Sequence, residues 1–326
     1  MGRVAVVFTG GTISMTSDPQ AGGNVPTLGA TDLLGMAPGI GDIAEIRPID
    51  LGRTPASHFL FADLLRIAEV VRTALADPVV DGAVIVQGTD TIEETSFLFD
   101  LVLDSPKPVV VTGAMRSASE AGYDGPTNLT DAVRCAAAPA LAGAGAVVVL
   151  AGTIHAADDV AKTHTSSLTT FQSPNAGPLG VVEGGRVVVG RARMARRHVS
   201  TTAASERVHL ITAVVGMDGT LLDAARIAGA DGFVVAATGS GNTSAALLEG
   251  AMRAMEGGLP VVLVSRCGSG RAGTAYAFPG GGATWVRAGA LLAGSLSGPK
   301  ARVALALGLG AGLAREELAA LLDDPA

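Results

Sequence analysis

The sequence predicts a two-domain α/β protein, with a larger N-terminal, mostly parallel sheet flanked by helices and a smaller C-terminal parallel-sheet α/β domain. Two observations carry that prediction. Short β-branched runs at residues 4–8, 83–86, 109–111 and 146–150 are continuous and apolar, as strands covered on both faces must be. Each is followed by Gly or polar residues and then by a stretch of helical periodicity, the alternation expected of βαβ units. After Asp90, Thr91-Ile92-Glu93-Glu94 has the spacing of a capping box, and Phe97, Leu98, Leu101 and Val102 form one apolar helical face. Residues 192–207 are polar and basic without periodicity and read as a linker between domains at 1–191 and 208–326. Beyond it the alternation resumes with strands at 208–215, 233–237 and 261–265 and closes on a helix-forming segment at 314–318.

Composition narrows the function. The 326 residues suffice for about two domains, and 48% apolar against 16% charged residues supply enough burial to offset chain entropy. With 30 acidic against 23 basic residues, a net charge of -7 and 3% aromatics, the chain lacks the basic excess and stacking rings that nucleic-acid binding needs. Cys135 and Cys267 are the only cysteines, too few for a disulfide framework and consistent with a reducing, cytoplasmic compartment. The apolar run at 4–8 is too short for a signal-peptide core and reads as a first strand. Residues 135–154 carry no charge over roughly the length of a membrane span. Pro139 and the Ala/Gly content break them instead into a helix end, a turn and the strand at 146–150.

Four segments at or near strand ends could carry chemistry. In Thr9-Gly10-Gly11-Thr12-Ile13, consecutive glycines admit a ligand close to the backbone and a hydroxyl stands ready as a nucleophile. Taken alone, the segment fits a Gly-rich turn better, and it lacks the Lys and spacing of a phosphate-binding loop. Gln87-Gly88-Thr89-Asp90-Thr91 sets two hydroxyls around a carboxylate able to pair with a substrate ammonium; a plain helix cap explains it equally well. Lysine occurs only at 107, 162 and 300, and Lys162 lies among hydroxyls and carboxylates. Buried beside Asp90, it would tune a threonine hydroxyl, because amines change pKa readily on burial; the plain alternative is a solvated surface lysine. Thr238-Gly239-Ser240-Gly241-Asn242-Thr243-Ser244 imitates a dinucleotide fingerprint, but the following strand supplies no acidic residue for a ribose. The five histidines show no zinc-protease spacing, and His155 with Asp158 and Asp159 reads as loop polarity. No cofactor and no metal is expected.

Together these segments resemble the bacterial L-asparaginase family of amidohydrolases. The first signature is Thr9-Gly10-Gly11-Thr12-Ile13, the second Gly88-Thr89-Asp90-Thr91 with Glu93-Glu94, and the lysine segment Asp159-Val160-Ala161-Lys162-Thr163. Thr112-Gly113-Ala114-Met115-Arg116, residues 173–180, Gly239-Ser240-Gly241-Asn242 and residues 265–271 follow in family order, so the likeness spans nearly the whole chain. The resemblance implies hydrolysis of L-asparagine to L-aspartate and ammonia at an intimate dimer interface, commonly within a homotetramer. It implies Thr12 as nucleophile, backbone N–H groups near Gly11 and Thr89 as oxyanion donors, and Thr89 with Lys162 as proton managers. Asp90 would hold the substrate ammonium, Gly88 would belong to the substrate pocket, and Asn242 would reach a neighbouring subunit's site.

Three departures stand out. Gln87 replaces a family histidine, whose hydrogen-bonding role an amide largely fills. The family's lid tyrosine is missing from residues 14–26, the only tyrosines being Tyr123 and Tyr276. The carboxylate-binding pair falls at Ala56-Ser57-His58, which leaves Ser57, with Arg53 as a substitute clamp. Two further readings remain at this stage: the same fold acting on glutamine or another amide, and a non-catalytic amino-acid binding module. A nicotinamide-dependent dehydrogenase is a third. No nucleic-acid or membrane partner is expected.

Overall fold

The computed structural model describes residues 2–37, 39–193 and 195–324. They form two compact units that meet in sequence between residues 196 and 197.

The first unit is built on β1 (Gly2–Phe8), the hairpin β2 (Met15–Asp18) and β3 (Gly23–Pro26), α1 (Ala30–Gly35), α2 (Ile40–Ile43), β4 (Ala44–Asp50) and α3 (Phe61–Ala76). It continues with β5 (Gly82–Val86), α4 (Ile92–Val102), β6 (Val109–Thr112), α5 (Gly125–Ala136), β7 (Ala146–Leu150) and β8 (Thr153–Ala156). The short pair β9 (Ala161–Lys162) and β10 (Phe171–Gln172) and the strands β11 (Gly180–Glu183) and β12 (Arg186–Val189) complete it. Eight strands form one sheet in the order β12-β11-β8-β7-β6-β5-β1-β4.

The five strands from β7 to β4 are parallel, and β1, β5, β6 and β7 are buried on both faces, which is why their sequence is continuously apolar. Val4, Val6, Val84, Val86, Val110 and Val147 share one core with Leu129, Ala132 and Val133 of α5. Their neighbours in the pleat face the opposite way, where α3 buries Leu64, Ile67, Ala68 and Val71 at helical spacing.

Two details depart from the sequence reading. The sheet edge turns antiparallel through β8, β11 and β12; β11 and β12 alternate half-buried with exposed residues, the pattern of strands covered on one face only. The β7–β8 turn puts Ala151 at φ 48° and Gly152 at φ 71°, two left-handed residues as a tight hairpin requires. Thr91 also forms no capping box. It precedes α4 without a side-chain cap and spends its hydroxyl on the Ala56 carbonyl at 3.3 Å. Residues 135–154 resolve into the end of α5, a short turn, β7 and the start of β8, and no helix among the described residues is long and apolar enough to cross a membrane.

A buried charge cluster closes the unit. Asp100 of α4 is fully buried; its Oδ1 accepts from Ala146 N at 3.0 Å, Arg193 Nη1 at 2.9 Å and Arg196 Nε at 3.1 Å. Arg193 also pairs with Asp158 at 2.8 Å. Burial alone would lower the Arg193 pKa, but Asp100 and Asp158 outweigh it and raise it.

The second unit carries β13 (Val208–Thr212), α6 (Thr220–Ile227), β14 (Gly232–Ala237), α7 (Ala245–Glu256), β15 (Val261–Ser265), α8 (Gly282–Ala288), β16 (Leu291–Leu292), α9 (Gly298–Gly310) and α10 (Arg315–Leu322). Its four strands are parallel in the order β13-β14-β15-β16. Ser244 caps α7, its Oγ accepting from Leu247 N at 3.1 Å, and fully buried Trp285 donates Nε1 to Thr243 Oγ1 at 3.0 Å. Asp324 ties the chain end back to this unit: it accepts from Ser295 N at 3.2 Å and Ser295 Oγ at 2.6 Å and pairs with Arg197 and Arg271 at 3.1 and 3.0 Å. Burial would raise the Asp324 carboxyl, yet the Ser295 hydrogen bonds and the two guanidinium groups hold it below the ordinary carboxylate value.

Two outcomes are expected. Asp100→Ala removes the buried carboxylate that Arg193 and Arg196 share and should cost about 3 kcal/mol, read by urea unfolding; a loss within about 0.5 kcal/mol would show the cluster to be dispensable. The Asp324 contribution to stability is fully present above its unfolded pKa of about 4. It is lost as pH falls through the depressed folded value. Asp324→Asn should therefore flatten the fall in thermal stability below about pH 4, and an unchanged profile would refute the coupling.

Candidate active site

The site grows from the carboxyl ends of β1 and β5, adjacent parallel strands paired in register from Val4 with Gly82 to Phe8 with Val86. Ligands in open α/β sheets bind at such ends. Past the last pair, Thr9 keeps the two chains together, its N–H and Oγ1 donating to the Val86 carbonyl at 2.9 and 3.0 Å. The chains then press so close that a Cβ on Gly11 would fall 2.2 Å from Gly88 N. Gly11 also has φ 95°, which only glycine adopts without strain. Gly11 and the isolated Gly88 are thus two halves of one contact, which sets Thr12 beside the Thr89–Thr91 turn, while Gly10 packs against the Arg53 backbone.

Thr12 opens a tight turn, Thr12–Ser14. Ser14 donates both N–H and Oγ to the Gly11 carbonyl, at 2.9 and 2.8 Å. Among the described residues the Thr12 hydroxyl makes no hydrogen bond, and neither the Gly11 nor the Thr89 backbone N–H donates one. An uncommitted hydroxyl flanked by uncommitted N–H donors can attack a carbonyl carbon and stabilise the oxygen charge that develops.

On the β5 side, Lys162 of β9 reaches back across the strand ends. Its Nζ donates to Thr89 Oγ1 at 2.9 Å and to Asp90 Oδ1 at 2.7 Å, and its backbone N–H donates to Glu93 Oε2 at 3.0 Å. The ammonium is mostly buried while Asp90 is 75% exposed, so the triad runs from the interior to solvent. It faces an open cavity of about 280 Å³ lined by Asp90, Lys162, Thr163, His164 and Thr165. The cavity wall is folded by Thr170, whose Oγ1 accepts from His164 N at 2.8 Å and whose carbonyl accepts from Thr163 N and Oγ1. His164 Nδ1 accepts from Ser166 N and Ser167 N at 3.1 and 3.0 Å, so Nδ1 carries the lone pair and Nε2 the proton.

Thr89, Asp90 and Lys162 are therefore in direct contact, and Gly11 and Gly88 bring Thr12 to their side. Ser57 is exposed in the Ala56–His58 turn, which the Thr91–Ala56 hydrogen bond lays against the Thr89–Thr91 turn. Arg53 donates Nε to the Leu28 carbonyl at 2.9 Å, and Leu28 N in turn donates to the Ser14 carbonyl of the Thr12 turn. Gln87 is fully buried and donates to Thr95 Oγ1 at 2.8 Å, a hydrogen bond from the strand end to the first turns of α4. Asn242 belongs to the second unit, where its backbone exchanges hydrogen bonds with Thr238 in a bridged turn. Of the acidic residues near His155, Asp158 holds Arg193 and Asp159 accepts from Asn175 N and Ala176 N at 3.0 and 2.7 Å. The sequence reading gave Glu93 no individual role, although its place one turn after Thr89 on α4 was a usable signal. Of the wall at 163–170 it reached only Thr163 and His164, and for the rest hydroxyl residues alone give no signal.

Comparison with known proteins identifies the family. Residues 3–195 match the family model described as "Asparaginase, N-terminal", and residues 207–322 match "Glutaminase/Asparaginase C-terminal domain". A protein of Deinococcus radiodurans named "Probable L-asparaginase" is 36% identical over 320 residues, covering 97% of this chain and 95% of that one. "L-asparaginase 2" of Escherichia coli is 33% identical, covering 94% and 88%. The crystal structure of a probable cytoplasmic L-asparaginase from Campylobacter jejuni superposes with a TM-score of 0.88 at 28% identity and 99% coverage of both chains. Signatures in family order, strand ends that bring them together and matches over both units lead to one conclusion: the chain belongs to the asparaginase family.

Proposed function

We propose that this protein is an amidohydrolase that converts L-asparagine to L-aspartate and ammonia, with Thr12 as the nucleophile. The observation that carries the reading is the Lys162 ammonium held on Thr89 Oγ1 at 2.9 Å and Asp90 Oδ1 at 2.7 Å, next to a threonine hydroxyl that makes no hydrogen bond among the described residues. Thr12 Oγ1 attacks the amide carbon, and the N–H groups of Gly11 and Thr89 receive the charge on the carbonyl oxygen. Thr89, tied to Lys162, passes the proton between the attacking hydroxyl and the departing ammonia. Water then adds to the acyl carbon, the bond to Thr12 Oγ1 breaks to release aspartate, and the water proton returns to Thr12 through Thr89. Asp90 presents Oδ2 to the substrate ammonium while Lys162 fixes its Oδ1, and Ser57 meets the substrate carboxylate. The lid hairpin β2–β3 carries no tyrosine, so glutamine and D-asparagine belong in the same assay.

Several findings support a cytoplasmic enzyme. The Campylobacter jejuni neighbour is described as cytoplasmic, whereas the Haemophilus influenzae relative is named periplasmic; the two cysteines here are both free. Asn242 of a neighbouring copy would complete the site of a homotetramer.

Thr12→Ala should lower kcat for L-asparagine by at least about a thousandfold, measured as ammonia release; full turnover in that variant would rule out the nucleophile. Lys162→Met should lower kcat by about 10²- to 10⁴-fold, and a variant with only a raised KM would place Lys162 in binding alone. Light scattering of the purified protein should give the mass of a tetramer; a monomer that hydrolyses asparagine at full rate would overturn the shared-site reading.

A further inference from the structure

The turn that carries Thr12 accounts for every backbone carbonyl it contains. Gly11 O accepts from Ser14 N and Oγ, Thr12 O from Met15 N, and Ser14 O from Thr27 N and Leu28 N, each of the last two at 2.9 Å. Those donors all lie in the turn or at the base of the lid hairpin. Ile13 O is different. Ile13 is fully buried, and its carbonyl accepts from the Tyr123 hydroxyl at 2.6 Å, across 110 positions of sequence. It is the one carbonyl of the turn held by a side chain from a distant segment.

Tyr123 is built into that position. Its ring packs on the core shared by β1, β5 and α5, and the following residue, Asp124, pins the preceding loop by accepting from Met115 N and Arg116 N. The phenol lies so close over the first residue of α5 that a Cβ on Gly125 would fall 2.3 Å from its oxygen. Burial, reinforced by the Asp124 carboxylate, pushes the phenol pKa up, so the group remains a donor over the working pH range.

We infer that Tyr123 is a positioning residue for the reaction: its hydrogen bond to Ile13 O fixes the backbone that aims the Thr12 hydroxyl. This rests on the proposed role of Thr12. The lid hairpin has no tyrosine to place beside the nucleophile, and Tyr123 reaches the same turn through the backbone. It serves as a fixed donor, with no proton to relay. Because a displacement of about 1 Å at a nucleophile costs rate far more than affinity, the bond should matter to kcat and hardly to KM.

The test is steady-state ammonia release by the full-length enzyme with L-asparagine, for Tyr123→Phe, Thr12→Ala and the double variant. Tyr123→Phe is expected to lower kcat by about ten- to a hundredfold with KM within about twofold. In the Thr12→Ala background it should change the residual rate no further, because Tyr123 acts through Thr12. Gly125→Ala, which keeps the tyrosine but displaces its oxygen, should reproduce the loss of kcat and covers the case in which Tyr123→Phe does not fold. A wild-type kcat in Tyr123→Phe with Thr12→Ala inactive would overturn the positioning role alone, as would a rise in KM without a fall in kcat or an additive loss in the double variant. Full turnover by Thr12→Ala would overturn the nucleophile assignment and this proposal with it.

Discussion

The site depends on one close approach: the backbone of Gly11 against that of Gly88, where no Cβ fits on the Gly11 side. Parallel pairing brings β1 and β5 to the same level, and the ladder would splay at its end without Thr9, which holds the Val86 carbonyl with both N–H and hydroxyl. The consequence is geometric. Two loops from different strands share one small volume, one offering the hydroxyl of Thr12 and the other the hydroxyl of Thr89 and the carboxylate of Asp90. A larger residue at position 11 would push the loops apart by more than a hydrogen bond tolerates.

Around that contact, most polar groups are committed and a few are not. The carbonyls of the Thr12–Ser14 turn, the Lys162 ammonium and backbone N–H, and the Gln87 amide nitrogen all have partners. The Thr12 hydroxyl and the Gly11 and Thr89 N–H groups have none among the described residues. A preorganised site needs that division, because groups held by the protein cannot reorganise during the reaction and groups left open can meet the substrate. Lys162 occupies the boundary, buried at its base and tied to an exposed carboxylate at its tip.

Each unit also has a carboxylate that organises its end, fully buried in Asp100 and half-buried in Asp324, and both use arginine. Asp100 gathers Arg193 and Arg196, while Asp324 gathers Arg197 and Arg271. Arginine suits both places because its planar fork spreads several donors and stays charged when buried. The polar, basic stretch read as a linker therefore supplies internal ion pairs on both sides of the division at residues 196 and 197.

The sequence by itself determined the strands of the parallel core, because a strand covered on both faces must be apolar throughout; the run at 146–150 coincides with β7 and that at 261–265 with β15. It also marked Thr12, Thr89 and Asp90, since small and polar residues after such runs stand where ligands bind, and Lys162 by the rarity of lysine in the chain; their order carried the family resemblance. What it left open was whatever depends on contacts between distant segments. The antiparallel edge of β8, β11 and β12 has too little apolar periodicity to announce itself, and Thr91 carries a capping signature that the Ala56 carbonyl overrides. Lys162 read more readily as a solvated surface lysine until the fold closed it onto Thr89. Tyr123 and Ile13 are joined only by the packing of α5 beneath the strand ends. Local pattern reports which face of an element is buried; which buried group meets which is decided by the tertiary arrangement alone.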